Sequence, residues 1–527
     1  MTDTKLEPRD QGRRVGAAAS LAGVALAMVL LAPSVGAAQT IDQAVKAYNA
    51  DEYEDAAFLF SDIIERSENP DDRVKAEYYL GHSLFKAGYY LPAFQYYAEV
   101  FNQGPEHPYF LEATKGLLSV GDELGDDVLV PQLIDRGYVP EFQMLETGLS
   151  MVNYLVGMNQ QRLGNYADAR EFLNGVTPDS PVYMKSRYLL GIMSLRVARA
   201  QGAETYEETL GYFQEIAEKL KDSVDEDDKK LFRLAILGLA RTYYSQGDYA
   251  KSIEYYERIP RFSDDWYDAM FESGWAYRQD ALDQETKEDF SRSIGKTLGM
   301  MHSVQSPYFD GRYRAESFVL KATAYFDMCH FDRVRKTLDD FFALYEPMAE
   351  ALKPYITGGR SDAEMVDLVM SGEASFPEEI RSRVASNRRF QKFLGQVEEV
   401  RSEIERARTN FPDGAFKNRL IALLTEQEDR RVALTGRLVR LQIDREAQFL
   451  EDFLNQARII KFETADAERK MLEVGRDITK GPRAKGPRPF IPSDQRQFWG
   501  FNGEYWIDEL GYYQHSIRNE CVEAIYQ

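Results

Sequence analysis

The chain has 527 residues, with 64 Lys and Arg against 86 Asp and Glu, and a formal net charge of −22 at neutral pH. A chain this acidic repels a polyanion, which sets nucleic acid aside as a partner. The five His are scattered without metal-ligand spacing, and the sequence holds neither a Gly-rich phosphate loop nor a nucleophile elbow. It therefore predicts no enzyme, no metal and no cofactor.

Residues 1–38 read as an export signal. Arg13 and Arg14 precede an Ala/Leu/Val run from Val15 to Ala32, Pro33 breaks it, and Gly36-Ala37-Ala38 offers small residues for cleavage before Gln39. The Arg pair hints at twin-arginine export, but the strongly apolar residue expected soon after it is missing. No Cys follows the run, which argues against a lipoprotein anchor. Removing this segment takes away four basic and three acidic residues, so the remaining chain carries −22 − 1 = −23.

A repeat follows. In its clearest unit Leu80-Gly81 leads to Leu84, Gly88, Tyr90, Ala93, Tyr97, Val100 and Pro105. Small residues at Gly81 and Ala93 suit a close crossing of two antiparallel helices, Tyr90 and Tyr97 fill the space between them, and Gly88 suits the turn. Ala44, Gly157, Ala240 and Ala322 open comparable units, and Gly191 and Gly274 open looser ones. The wide interval between Gly81 and Gly157 predicts a degenerate unit over residues 108–137. Extra residues near 199–205 and 280–293 predict longer helices or loops. The acidic run Asp225–Asp228 reads as a solvated loop face.

The pattern resembles the tetratricopeptide-repeat (TPR) family over residues 39–350. That resemblance implies an all-α fold, a right-handed superhelix of helix pairs whose first helices line a groove for protein partners. The groove positions it implies include Lys75, Tyr78, His82 and Lys86, then Tyr154 and Arg162, then Arg241 and Tyr244. The only two thiols, Cys329 and Cys521, are candidates for a disulfide in an oxidising compartment, although their spacing alone does not decide it.

After Pro347 the repeat signal fades. A turn-rich connector at 351–383 leads into a long antiparallel helical hairpin, a coiled coil, over 384–478. Phe393, Val397, Val400, Ile404, Ala407 and Phe411 form a heptad seam in its first helix. Its second helix shows a change of packing partner or a bend near Gly436. The hairpin reads either as a protruding arm or as a cap folded against the repeats. A basic Pro/Gly linker occupies 479–492, and an aromatic tail at 493–527 carries Trp499, Phe501, Tyr505, Trp506 and Tyr512 as docking candidates.

The tail segment from Gly503 to Tyr513, with Gln305-Ser306-Pro307-Tyr308-Phe309, is similar to exported TPR proteins of deltaproteobacteria and myxobacteria, some linked to gliding-motility machinery of the envelope. The resemblance implies a periplasmic, non-catalytic scaffold whose partners are other envelope proteins and which does not span the membrane once processed. A cell-wall or outer-membrane assembly adaptor, a homo-oligomer held by the coiled coil, is the alternative within binding. A peptidoglycan-processing enzyme or its regulator is the alternative of another class.

Overall fold

The computed structural model describes residues 40–203, 205–309, 312, 315–473, 475 and 504–521. The signal, the basic linker, Trp499 and Phe501 lie outside the described residues. Those residues build an all-α protein with no strand among them. In chain order the helices are α1 (Ile41–Asn49), α2 (Tyr53–Arg66), α3 (Pro70–Lys86), α4 (Tyr90–Asn102), α5 (Phe110–Glu123), α6 (Leu129–Arg136), α7 (Thr147–Leu163), α8 (Tyr166–Asn174), α9 (Tyr183–Gln201) and α10 (Glu207–Leu220). They continue as α11 (Glu226–Gln246), α12 (Tyr249–Glu257), α13 (Trp266–Leu282), α14 (Lys287–Val304), α15 (Ala315–Asp327), α16 (Phe331–Thr357), α17 (Asp362–Ser371), α18 (Glu378–Ala385), α19 (Arg388–Asn410) and α20 (Ala415–Glu473). Short 3-10 turns occupy Pro140–Leu145 and Pro307–Phe309.

From α1 to α16 each helix packs on its neighbours in sequence, as helix-hairpin repeats require. Small residues set these crossings. A Cβ on Gly81 would stand 3.2 Å from the Tyr96 side chain, and one on Gly157 would stand 2.6 Å from Leu173. Phe213 is wedged between Gly191 and Gly238, 2.8 Å from a Cβ on either. Gly88 turns the chain between α3 and α4 with φ +77°, a conformation that side chains disfavour. The degenerate unit is α5 with α6, and the loose unit at Gly274 has a full second helix, α14. The acidic run at 225–228 is a helix start rather than a loop face. Asp225 caps α11 by accepting from the backbone N–H of Asp227 and Asp228, and the other acids meet the positive end of the helix dipole.

The array does not stop at Pro347. α16 runs through Pro347 and Pro354 to Thr357, and the expected turn-rich connector holds two further helices, α17 and α18. Each internal proline costs a backbone hydrogen bond, yet Tyr345, Leu352 and Tyr355 of this stretch are buried against the rest of the chain, and that burial outweighs the loss.

α19 and α20 are the predicted antiparallel hairpin, folded back onto the repeats. Its seam is spent inside the molecule. Val400, Ile404, Ala407 and Phe411 join Phe416, Leu420 and Leu424 in one core with α1–α7. Further along α20, Val439, Ile443, Leu450, Leu454 and Ala457 enter a second core with α14–α18. At 59 residues α20 is about 88 Å long, and it reaches from the first repeats to the last. Arg335–Glu468, Lys461–Asp339 and Arg458–Glu346 pair α16 with α20 in antiparallel order. The change of partner near Gly436 has a concrete cause: the backbone of Asp362, at the start of α17, abuts Gly436 where any Cβ would stand.

Candidate protein-binding surface

The first helices of the N-terminal repeats carry an aromatic cluster. The Tyr78 ring stacks on Tyr109 at 4.9 Å with the planes 2° apart, and on His82 at 5.5 Å. Tyr48 of α1 meets Tyr79 edge-on at 5.5 Å, and Lys75 lies 5.9 Å over the Tyr79 ring. His82 Nδ1 shares a hydrogen bond with the Tyr97 hydroxyl at 2.8 Å. Burial, then the Lys86 charge, lowers the His82 pKa, so the ring is neutral near pH 7. Burial also raises the pKa of Tyr78 and Tyr97, which keeps both as neutral donors. Lys86 is exposed at the end of α3.

The other sequence-predicted positions divide into packed and exposed groups. Tyr154 is half-buried on α7, with burial and then Asp127 pushing its pKa up to about 12. Arg162, at the end of the same helix, is exposed and donates to the Asp127 carbonyl at 3.0 Å. Arg241 is a structural strut: its guanidinium reaches Glu272 of α13 at 2.7 and 2.6 Å, and Tyr256 donates to the same carboxylate at 2.8 Å. Burial works against its charge, but the Glu272 hydrogen bond and charge win and hold its pKa above the ordinary range. Tyr244 meets Tyr249 edge-on at 5.4 Å. The eight positions therefore occupy the first helices of three separate repeats, and only the α3 set is drawn into one cluster.

The hairpin lies against other surfaces. Arg406 donates to the Gly88 carbonyl at 2.7 Å, Phe411 packs on Tyr89, and Glu403 accepts from the Tyr90 backbone N–H at 3.0 Å, all at the α3–α4 turn. Lys392 pairs with Asp127 beside the α5–α6 turn, and Phe416 packs on Phe58 of α2. These contacts fall on turns and second helices, away from Lys75, Tyr78 and His82.

The tail turns over 507–512 and then runs as a non-helical segment with two sides, crossing α14 at Gly299 and Gly295 and ending on the α15–α16 turn. Tyr513, His515, Ile517 and Asn519 turn inward, whereas Tyr512, Gln514, Ser516 and Arg518 are exposed. Gly295 and Gly299 form its bed: the carbonyls of His515 and Tyr513 sit where their side chains would be. His515 N–H donates to the Gly295 carbonyl at 2.9 Å, and Tyr505 stacks on His302 at 4.3 Å. Cys329 and Cys521 meet with S–S 2.00 Å. Of the aromatic docking candidates, Trp506 and Tyr512 face solvent, and Leu510 and Tyr513 do the packing. The inward-outward alternation from Tyr512 to Asn519 was the available signal for this strap, and reading the tail by aromatic content alone misses it.

Among the described residues no group of three or more His, Cys, Asp or Glu is placed to hold a metal, and no helix is long and apolar enough to cross a membrane. No family model matches the chain, and no curated protein does. Among solved structures the chain is similar to a circular tandem repeat protein with novel repeat topology and enhanced subunit contact surfaces. The identity is 13%, covering 83% of this chain and 98% of that one, with a TM-score of 0.13. A score that low carries no argument, so the helical-repeat fold stands on the chain's own helices.

Proposed function

We propose that this protein is a tetratricopeptide-type scaffold, exported to the periplasm, that holds envelope proteins together without catalysing a reaction. The observation that carries the reading is the open first-helix face. The hairpin contacts turns and second helices of these repeats rather than the Tyr78–His82–Tyr109 cluster, and Lys86 and Arg162 stand exposed at the border of its contacts. Aromatic rings with neutral hydroxyls, flanked by cations, suit an extended peptide that offers both apolar and acidic groups. Export is supported by the signal pattern at 1–38 and by the Cys329–Cys521 pair, which belongs in an oxidising compartment. A place in motility machinery rests on the resemblance of the tail segment alone. The adaptor that oligomerises through its coiled coil is the weaker reading, because the Val400–Phe411 part of that seam is buried within its own chain.

The test is crosslinking in intact cells with the full chain and with a Lys75→Glu/Lys86→Glu/Arg162→Glu variant, followed by fractionation. Recovery from the periplasm with a mature N-terminus at Gln39, and loss of crosslinked envelope partners in the variant, supports the scaffold. Cytoplasmic recovery, or an unchanged partner set, sinks it.

A further inference from the structure

Three separate segments meet on an outer face of the repeats: Arg261 and Phe262 between α12 and α13, Tyr308 in the turn after α14, and the tail from 504 to 513. Arg261 is their hub. Its guanidinium donates to the Ile507 and Asp508 carbonyls at 2.9 Å each, and it lies 5.1 Å from the Phe262 ring and 4.9 Å from that of Tyr512. Phe262 has φ +63°, a conformation that a ring-bearing residue rarely adopts. That strain does not serve burial, because the ring remains 50% exposed, set against Trp266 at 4.8 Å and edge-on to Tyr308 at 5.6 Å. Tyr308, Trp506, Ile507 and Tyr512 are likewise 49 to 60% exposed. An apolar cluster of this kind, held outward at a backbone cost, marks an interaction surface.

Charge selects the occupant. Among the described residues the cation at the hub, Arg261, is engaged by two carbonyls and several rings, and Asp508 and Glu509 border the patch with exposed side chains, while Asp264 beside it faces Arg388 at 3.9 Å. Ring faces attract cations, and the carboxylates add to that attraction. A second copy of this chain, at −22, is repelled instead. We propose that this patch docks a cationic, extended segment of a partner protein, with Lys or Arg heads over Trp506, Tyr512 and Phe262 and within reach of Asp508 and Glu509. The surface is separate from the first-helix face and does not depend on it.

The experiment is fluorescence anisotropy with a labelled Arg-Pro repeat octapeptide, a Glu-Pro repeat control, and the full folded chain. The expected result is binding of the cationic peptide alone, weakening with salt. It falls by about tenfold or more in Trp506→Ala/Tyr512→Ala and in Asp508→Asn/Glu509→Gln. Phe262→Gly removes the ring together with the strain, so it keeps the thermal midpoint while losing affinity. The proposal is overturned if the wild-type chain ignores the cationic peptide or takes both peptides equally. It is also overturned if the ring variants, with midpoints unchanged, bind as the wild type does.

Discussion

Glu403 makes the join between hairpin and repeats sensitive to pH. Its side chain is fully buried where α19 meets the α3–α4 turn, with one oxygen accepting from the Tyr90 N–H and the other without a hydrogen-bond partner. Burial pushes its pKa from 4.5 up to about 8, against the Tyr90 hydrogen bond and the Arg406 charge, while Glu399 adds to the rise. Arg431 of α20 faces the same site together with Asp126. The folded state therefore holds the proton more tightly than the unfolded chain does. The group's contribution is intact below the unfolded pKa and is lost as pH rises through the folded one. With the two values given, the full loss is 1.36 × (8 − 4.5), about 5 kcal/mol, of which about 2 kcal/mol falls between pH 6 and pH 8.

Glu403→Gln copies the protonated form, keeping an oxygen for Tyr90 and carrying no charge. Amide hydrogen exchange in α19, corrected for intrinsic rate, reads the local opening of the hairpin, and urea unfolding reads the global value. The wild-type chain should lose protection in α19 as pH rises from 6 to 8, and the variant should lose about 2 kcal/mol less across that interval. Comparing the two removes the contribution of every other titrating group. Equal pH slopes in the two proteins would falsify the assignment of the proton to Glu403.

Four more outcomes follow from the same packing. Reducing the Cys329–Cys521 pair opens a loop of sequence separation 192 and should lower stability by up to about 5 kcal/mol on chain entropy, read as a drop in thermal midpoint. Gly299→Ala sets a methyl against the Tyr513 carbonyl, so the tail should become protease-sensitive at a cost of about 1–3 kcal/mol, with α1–α7 unaffected. Arg241→Ala leaves Glu272 half-buried with only Tyr256 to bind it. Because the pair is partly solvated, the expected loss is about 1–2 kcal/mol by urea unfolding. A chain ending at Pro347 cuts α16 and removes α20 from the two cores it enters, so it should expose apolar surface and bind a hydrophobic dye, whereas the full chain should not.

How much of this was legible follows from the physics of each element. Gly81, Gly157 and Gly191 announced their helix pairs because two backbones approach there and nothing larger fits, so the constraint is local and shows in spacing. The α19 seam was legible as well, but its partner was not. Val400, Ile404 and Ala407 have the same spacing whether they face a second chain or, as here, α20 and the first repeats. Local signals misled where tertiary burial overrode them. The repeat signal fades at Pro347, yet α16 continues through Pro347 and Pro354 because its far side is covered by α20, a helix that begins dozens of residues later. The candidate site divides along the same line. Tyr78 and His82 fall on one face of one helix and were found together, whereas Arg241 is a strut whose role depends on Glu272 in the next repeat. Of the Arg261–Phe262 patch, Trp506 and Tyr512 showed in the aromatic tail, but their joining with Arg261, Phe262 and Tyr308 had no sequence signal, since three distant segments converge there.

That convergence bears on what kind of scaffold this is. A repeat array bound only by nearest neighbours flexes like a spring, each interface giving a little. Here one helix of about 88 Å belongs to the core of α1–α7 at one end and to that of α14–α18 at the other, and α16 pairs with it along three ion pairs. Bending the array would have to slide α20 past buried Leu420 and Leu424 at one end or past Leu450 and Leu454 at the other, and packed cores resist such sliding. The first-helix face is thus held at fixed curvature before any partner arrives. A partner docking on that face, as proposed above, would meet a preformed surface, and little of its binding energy would go into ordering the scaffold.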